Sequence, residues 1–230
     1  MFGTTYTGGI TDYRSASEIN SAMARVYGHM TVAVFISMLV SWFVGTSPEL
    51  LQFFFTGVLK WIVIFAPLAA ILVFSFACER FNKAQLKLFL YSFAALMGLS
   101  MATIFAVFTM GSIVSAFMGA GILFAVMSGY GYFTKSNLDS MGKFMLVGLI
   151  AIVIASIVNI FIGSTVMQMV ISALAIIIFL GLTAYDTQKI REMVSQDGSG
   201  VAEVSGALNL YMDFINLFIN LLQLFGGRKE

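Results

Sequence analysis

Charge is what this chain has least of. Its 12 basic and 11 acidic residues make up 10% of 230 positions, against about a quarter in soluble domains. So few charges cannot cover the surface of a soluble globule. An ordinary soluble enzyme and a disordered chain are therefore excluded. The net charge of +1 supplies no basic field for phosphates, which excludes a nucleic-acid binder. Cys78 is the one cysteine, so neither an internal disulfide nor a thiolate zinc site is possible within the chain. His29 is the one histidine, so no His-based metal site and no Ser-His-Asp triad can be assembled. No Ser/Lys or His nucleophile constellation falls on matching helix faces, and no enzymatic activity or bound cofactor is expected.

What the chain has instead is apolar sequence. Hydrophobic residues are 60% of the total, and mean hydropathy is +0.96. A helix needs about 20 largely apolar residues to cross a bilayer. Seven segments qualify: Val26–Gly45, Trp61–Cys78, Leu88–Thr109, Ser112–Phe133, Phe144–Gly163, Val166–Tyr185 and Val204–Phe225. Met110 and Gly111 separate the third from the fourth, and Ser164 and Thr165, after Gly163, the fifth from the sixth. Such tight turns hold no second domain, so the expectation is an all-α integral membrane protein with a single domain over residues 26–227. Pro67 is expected to kink the second span. Gly98, Gly119 and Gly121 are expected to let helices approach closely.

Residues 1–25 are polar and lack the apolar core of a signal peptide. Ser15 and Glu18 have capping-box spacing, and Ile19, Met23, Tyr27 and Met30 then recur at helical intervals. An amphipathic lead-in helix is expected to run into the first span. Orientation follows from Lys and Arg. With the N-terminus in the cytoplasm, Arg14, Arg25, Arg80, Lys83, Lys87, Lys135, Lys143, Lys189 and Arg191 lie inside, and Lys60, Arg228 and Lys229 outside. That bias favours a cytoplasmic N-terminus. Seven spans put the 228–230 tail outside; a re-entrant last segment would put it inside.

Two acidic residues stand apart. Asp186 follows an unbroken apolar run, and Asp213 lies within the last span. An aspartate at mid-bilayer costs about 2.5–3.5 kcal/mol on insertion scales, so it is rarely there without a role. The plainer reading is a hydrated interfacial residue, which weighs more for Asp186 than for Asp213. The midpoint between the two falls at Ser199 and Gly200, inside the turn sequence Gln196-Asp-Gly-Ser-Gly200. Folding the last two helices about that turn sets both aspartates at similar depth, each about 20 Å from it. Asn209, Asp213, Asn216, Asn220 and Gln223 recur at intervals of four and three, which makes one polar stripe. It reads as a pathway lining or as a hydrogen-bonded seam between helices. Asn159 and Ser156 form a smaller patch, and Thr183 lies one turn before Asp186 on the same face.

Two adjacent carboxylates cannot both ionise cheaply, so such a pair shares one proton. Protonated, it bridges two helices; doubly ionised, it repels or accepts a divalent cation such as Ca²⁺, which prefers oxygen ligands. Arg80 is a candidate ion-pair partner for one carboxylate, and a snorkelling interfacial residue otherwise.

Gly181-Leu-Thr-Ala-Tyr-Asp-Thr-Gln-Lys-Ile190 together with Leu208-Asn-Leu-Tyr-Met-Asp-Phe-Ile-Asn-Leu-Phe218 resembles the signature of the transmembrane Bax-inhibitor-motif family, in its bacterial inner-membrane branch. The resemblance implies a seven-helix bundle in which the last helix is wrapped by the other six. It also implies a pH-sensitive Ca²⁺ leak, with the family's paired aspartates at Asp186 and Asp213 and its basic residue at Arg80. The acidic residue that some members carry within the second span has no counterpart in Trp61–Cys78. Some bacterial members are associated with a membrane protease. Three functions therefore compete: a pH-gated leak channel, a regulatory protein that binds a membrane protease through its N-terminus, and a proton-coupled cation carrier.

Overall fold

The computed structural model describes residues 14–77 and 81–229. These form nine α-helices: α1 (Ala16–Gly45), α2 (Pro48–Phe55), α3 (Leu59–Ala77), α4 (Lys83–Ser100), α5 (Ile104–Val107), α6 (Met110–Phe133), α7 (Asp139–Ile162), α8 (Thr165–Gln196) and α9 (Val201–Phe225). Six spans are long and apolar enough to cross a membrane, with α4 and α5 taken together; α2 with α3 makes a seventh if that bent pair is one span.

The capping signals act where the sequence places them. The Ser15 side chain accepts from the Glu18 backbone N–H and Glu18 returns to Ser15, which starts α1. Asn82 and Gln85 form a second such box at the head of α4. Pro67 lies inside α3, which continues through it. The sharp bend falls earlier, a 78° break between α2 and α3, where Gly57 takes a positive φ of 59° that glycine tolerates best. The third span, expected as one helix over Leu88–Thr109, instead stops at Ser100 and resumes briefly as α5. That break seats Ala102 and Phe105 against Gly45 of α1, where an added Cβ would lie 2.4 Å from the Ala102 carbonyl.

Of the expected close-approach glycines, Gly98 is one: a Cβ there would lie 2.5 Å from the Ser37 carbonyl. Gly119 meets only a Leu221 methyl at 3.9 Å, and Gly121 meets nothing within 4 Å. The closest crossing is elsewhere, at Gly131 of α6, where a Cβ would stand 2.1 Å from the backbone oxygen of Ala184 on α8. Gly131→Ala and Gly98→Ala should each cost about 1–3 kcal/mol through overpacking against backbone. Gly121→Ala should leave thermal unfolding in detergent unchanged.

α9 is the most buried span, at 56% of its apolar window. It packs against α1, α4, α6 and α8, whereas α3 packs mainly on α4, and α7 on α8. Two helices thus flank the bundle and do not line α9. The first and last described residues lie at opposite ends of the bundle. The Arg14 backbone N–H donates to the Ser195 carbonyl, and at the far end the Lys229 N–H donates to Val107 and the Thr109 N–H to Gly227. The last helix therefore runs from one end of the bundle to the other.

The α8–α9 turn is tightly built. Gly200, with φ of 76°, caps α9. Asp197 accepts from the Ser199 N–H and hydroxyl and from the Ala202 N–H, at 2.8, 2.6 and 2.7 Å. Burial pushes the Asp197 carboxyl up, but those donors outweigh it and hold it below the usual carboxylate range. A depressed value stabilises the fold above about pH 4, and the gain disappears as pH falls through the lower folded value. Asp197→Ala should lower the melting temperature at neutral pH by the equivalent of about 1–2 kcal/mol, with a smaller difference in strong acid.

Candidate functional site

The hairpin brings the two aspartates together. Their carboxyl groups meet across the α8–α9 interface, within hydrogen-bonding reach of one another. Asp213 is 5% exposed, and Asp186 is half-buried. Asp213 Oδ2 is the one buried side-chain oxygen or nitrogen among the described residues with no hydrogen-bond partner. A buried unsatisfied polar atom costs about 1–3 kcal/mol, more if charged. Such an atom is what a proton or a passing cation would satisfy.

The neighbours of the pair are mostly committed elsewhere. The Thr183 hydroxyl donates to the Phe179 carbonyl on its own helix at 2.7 Å. The Asn216 and Asn220 amides donate back to Met212 and Asn216 carbonyls. Asn209 is exposed. Gln223 accepts from Gln168 and Ser172 of α8 at 2.7 and 3.1 Å. The polar stripe therefore divides: only Asp213 of its members is fully buried, and its Gln223 end is an α8–α9 seam. Asn159 belongs to that seam as well, donating to Gln168 while its oxygen accepts from the Ser164 N–H. Arg80 lies outside the described residues.

Two constellations escaped the sequence reading. Glu203, in the first turn of α9, is 1% exposed. It is held by Arg25 at 2.6 Å, Lys83 at 2.9 Å and Arg14 at 3.6 Å, cations from three segments. An acidic residue at a helix start has a local reason to be there, the helix dipole, so nothing in the sequence singles it out. The second is a chain of hydroxyls. Tyr27 of α1 bonds Ser128 of α6 at 2.5 Å, and Ser128 bonds Thr187 of α8, next to Asp186, at 3.0 Å. Tyr211 similarly bonds Ser37 at 2.6 Å.

No group of three or more His, Cys, Asp or Glu side chains gathers among the described residues. Two carboxylates offer at most four oxygens, whereas resident Ca²⁺ takes about six to eight. The pair suits a transient cation better than a stored one.

Residues 19–230 match the family model described as inhibitor of apoptosis-promoting Bax1. The chain belongs to the Bax inhibitor motif family. Among its relatives in that family is "Inner membrane protein YbhL" of Escherichia coli K12, 38% identical over 218 residues, covering 92% of this chain and 93% of that protein. "Uncharacterized protein YrjE" of Lactococcus lactis is 35% identical over 226 residues, 94% of each chain. "Uncharacterized protein RP147" of Rickettsia prowazekii is 33% identical over 212 residues, 90% of each. The YbhL likeness and the apolar helices together support a multi-pass inner-membrane protein.

Proposed function

We propose that this Bax inhibitor family member is a proton-sensitive cation leak, with Ca²⁺ as cargo and no enzymatic role. The observation that carries this reading is the paired carboxyls of Asp186 and Asp213, with Asp213 Oδ2 buried and unpartnered. With one proton between them the carboxyls bond to each other and hold α8 against α9. When that proton leaves, two like charges share a low-dielectric site. The hairpin then parts, or a cation enters between the oxygens. The excess of Lys and Arg on the N-terminal side supports a cytoplasmic N-terminus.

The test is Ca²⁺ flux into proteoliposomes, from acidic to alkaline pH, for the natural chain and for Asp186→Asn and Asp213→Asn. A pH-dependent flux that loses its pH response in each variant supports the reading. No flux above empty liposomes at any pH overturns it in favour of a regulatory protein. Concentrative flux driven by an imposed proton gradient would make the same pair the site of a carrier.

A further inference from the structure

The seam between α1 and α6 has two different halves. Toward the N-terminal end side chains close it, through the Asn20–Tyr132 and Tyr27–Ser128 hydrogen bonds. Beyond Met30 it opens into two cavities of about 420 and 320 Å³ that share Val34, Phe117 and Met118. Their floor is α9, through Phe214, Ile215 and Phe218. Together they make one elongated cleft, open sideways between two membrane-crossing helices.

The lining is apolar except for small hydroxyls. Ser37 has its hydroxyl engaged with the Ala94 carbonyl and Tyr211. A cleft so lined gives water few partners and stays dry. Its rim is the lipid-facing surface itself: Phe35, Met38, Met118 and Ile122 line the cleft and are exposed. The far end adds two features. Trp42, a residue type that favours the membrane interface, lines the mouth. Phe105 also lines it, and its carbonyl accepts from the Lys229 ammonium at 2.7 Å. Arg228 stands beside Lys229 and pairs with Phe108 through the backbone. The hydrocarbon slot thus ends beside the Lys229 ammonium, with the exposed Arg228 adjacent to it in the chain.

We infer that the α1–α6 cleft binds one phospholipid, its acyl chain lying along α9 and its phosphate at Arg228 and Lys229. Charge complementarity at the mouth and continuity with the lipid-facing surface select that occupant. The bound chain would rest on Phe214, next to Asp213, so bilayer composition would bear on the helix that carries the carboxyl pair.

The two tryptophans, Trp42 and Trp61, make the test direct. Trp61→Phe leaves Trp42 as the cleft reporter, and Trp42→Phe leaves Trp61 as a reporter of ordinary surrounding lipid. Each is reconstituted in phosphatidylcholine vesicles with increasing amounts of phosphatidylglycerol brominated on the acyl chain. Trp42 should be quenched at a markedly lower fraction of brominated lipid than Trp61. Arg228→Ala with Lys229→Ala, an exposed change outside the helices, should weaken that preference about thirtyfold, since each of the two interfacial cations contributes about 1 kcal/mol. Gly121→Leu with Val34→Phe should fill the slot and abolish the preference. Mass spectrometry of the purified natural chain should detect a bound phospholipid that this variant lacks. Equal quenching of Trp42 and Trp61, or a preference unchanged in the Arg228/Lys229 variant, overturns the proposal. So does crosslinking of Trp42 to a second copy without quenching.

Discussion

Asp213→Asn is expected to remove the pH response of cation flux and to stabilise the protein at alkaline pH. The natural chain must either keep a proton on the pair or hold two negative charges at a site where Asp213 is 5% exposed and one of its oxygens has no partner. A charge at that depth costs about 2.5–3.5 kcal/mol, which is a factor of about 100 in an equilibrium between closed and parted hairpins. Asparagine keeps the shape and removes the charge. The variant should therefore unfold at a higher temperature than the natural chain in alkaline buffer, with the difference shrinking on acidification. Asp186→Asn should do the same, and the double variant should add little to either, because both act on one shared proton. Isolated, independent titration of each carboxyl, read by infrared spectroscopy of the protonated C=O, would remove the basis of the proposed sensor.

The other large effect is expected at Glu203, and its size depends on which partner is removed. Replacing Arg25 and Lys83 together by alanine leaves a carboxylate that is 1% exposed with only Arg14, 3.6 Å away. An uncompensated buried charge of this kind costs about 3–5 kcal/mol. Glu203→Gln should cost less, because the Arg25 and Lys83 side chains are 48% and 37% exposed and can turn to water. Combining Glu203→Gln with the Arg25/Lys83 changes should recover part of the loss. Chemical denaturation in detergent checks the ordering. A double-alanine variant as stable as the natural chain would show that the Glu203 carboxylate does not depend on those two cations.

Much of the fold was legible in the sequence because the bilayer leaves few choices. Runs of apolar residues must be helices, so the apolar spans and the Ser15–Glu18 capping box that starts α1 could be read locally. The turn at residues 196–200 could be read too, and with it the equal depth of Asp186 and Asp213, since helical rise is fixed. What escaped was everything that depends on rotation and lateral packing. The stripe from Asn209 to Gln223 has the periodicity of one face, yet only Asp213 on it is fully buried. Glycine identity marked Gly98, Gly119 and Gly121 equally, and only Gly98 sits at a backbone crossing. Pro67 was the obvious place for a bend, and α3 continues through it, but Gly57 was not: there a left-handed residue lets α2 and α3 part at 78°.

The sequence by itself determined the membrane-spanning helical class, the turn-centred hairpin and the two acidic residues that the last helices bring to one level. These follow from hydropathy, capping and helical rise, all of which act along the chain. Only the tertiary structure decided that the two carboxyls face each other, and that Glu203 draws cations from three segments. It also decided that α1 and α6 part to leave a cleft above α9. Those depend on how far each helix is turned about its axis, which is set by side chains packing across helices distant in sequence.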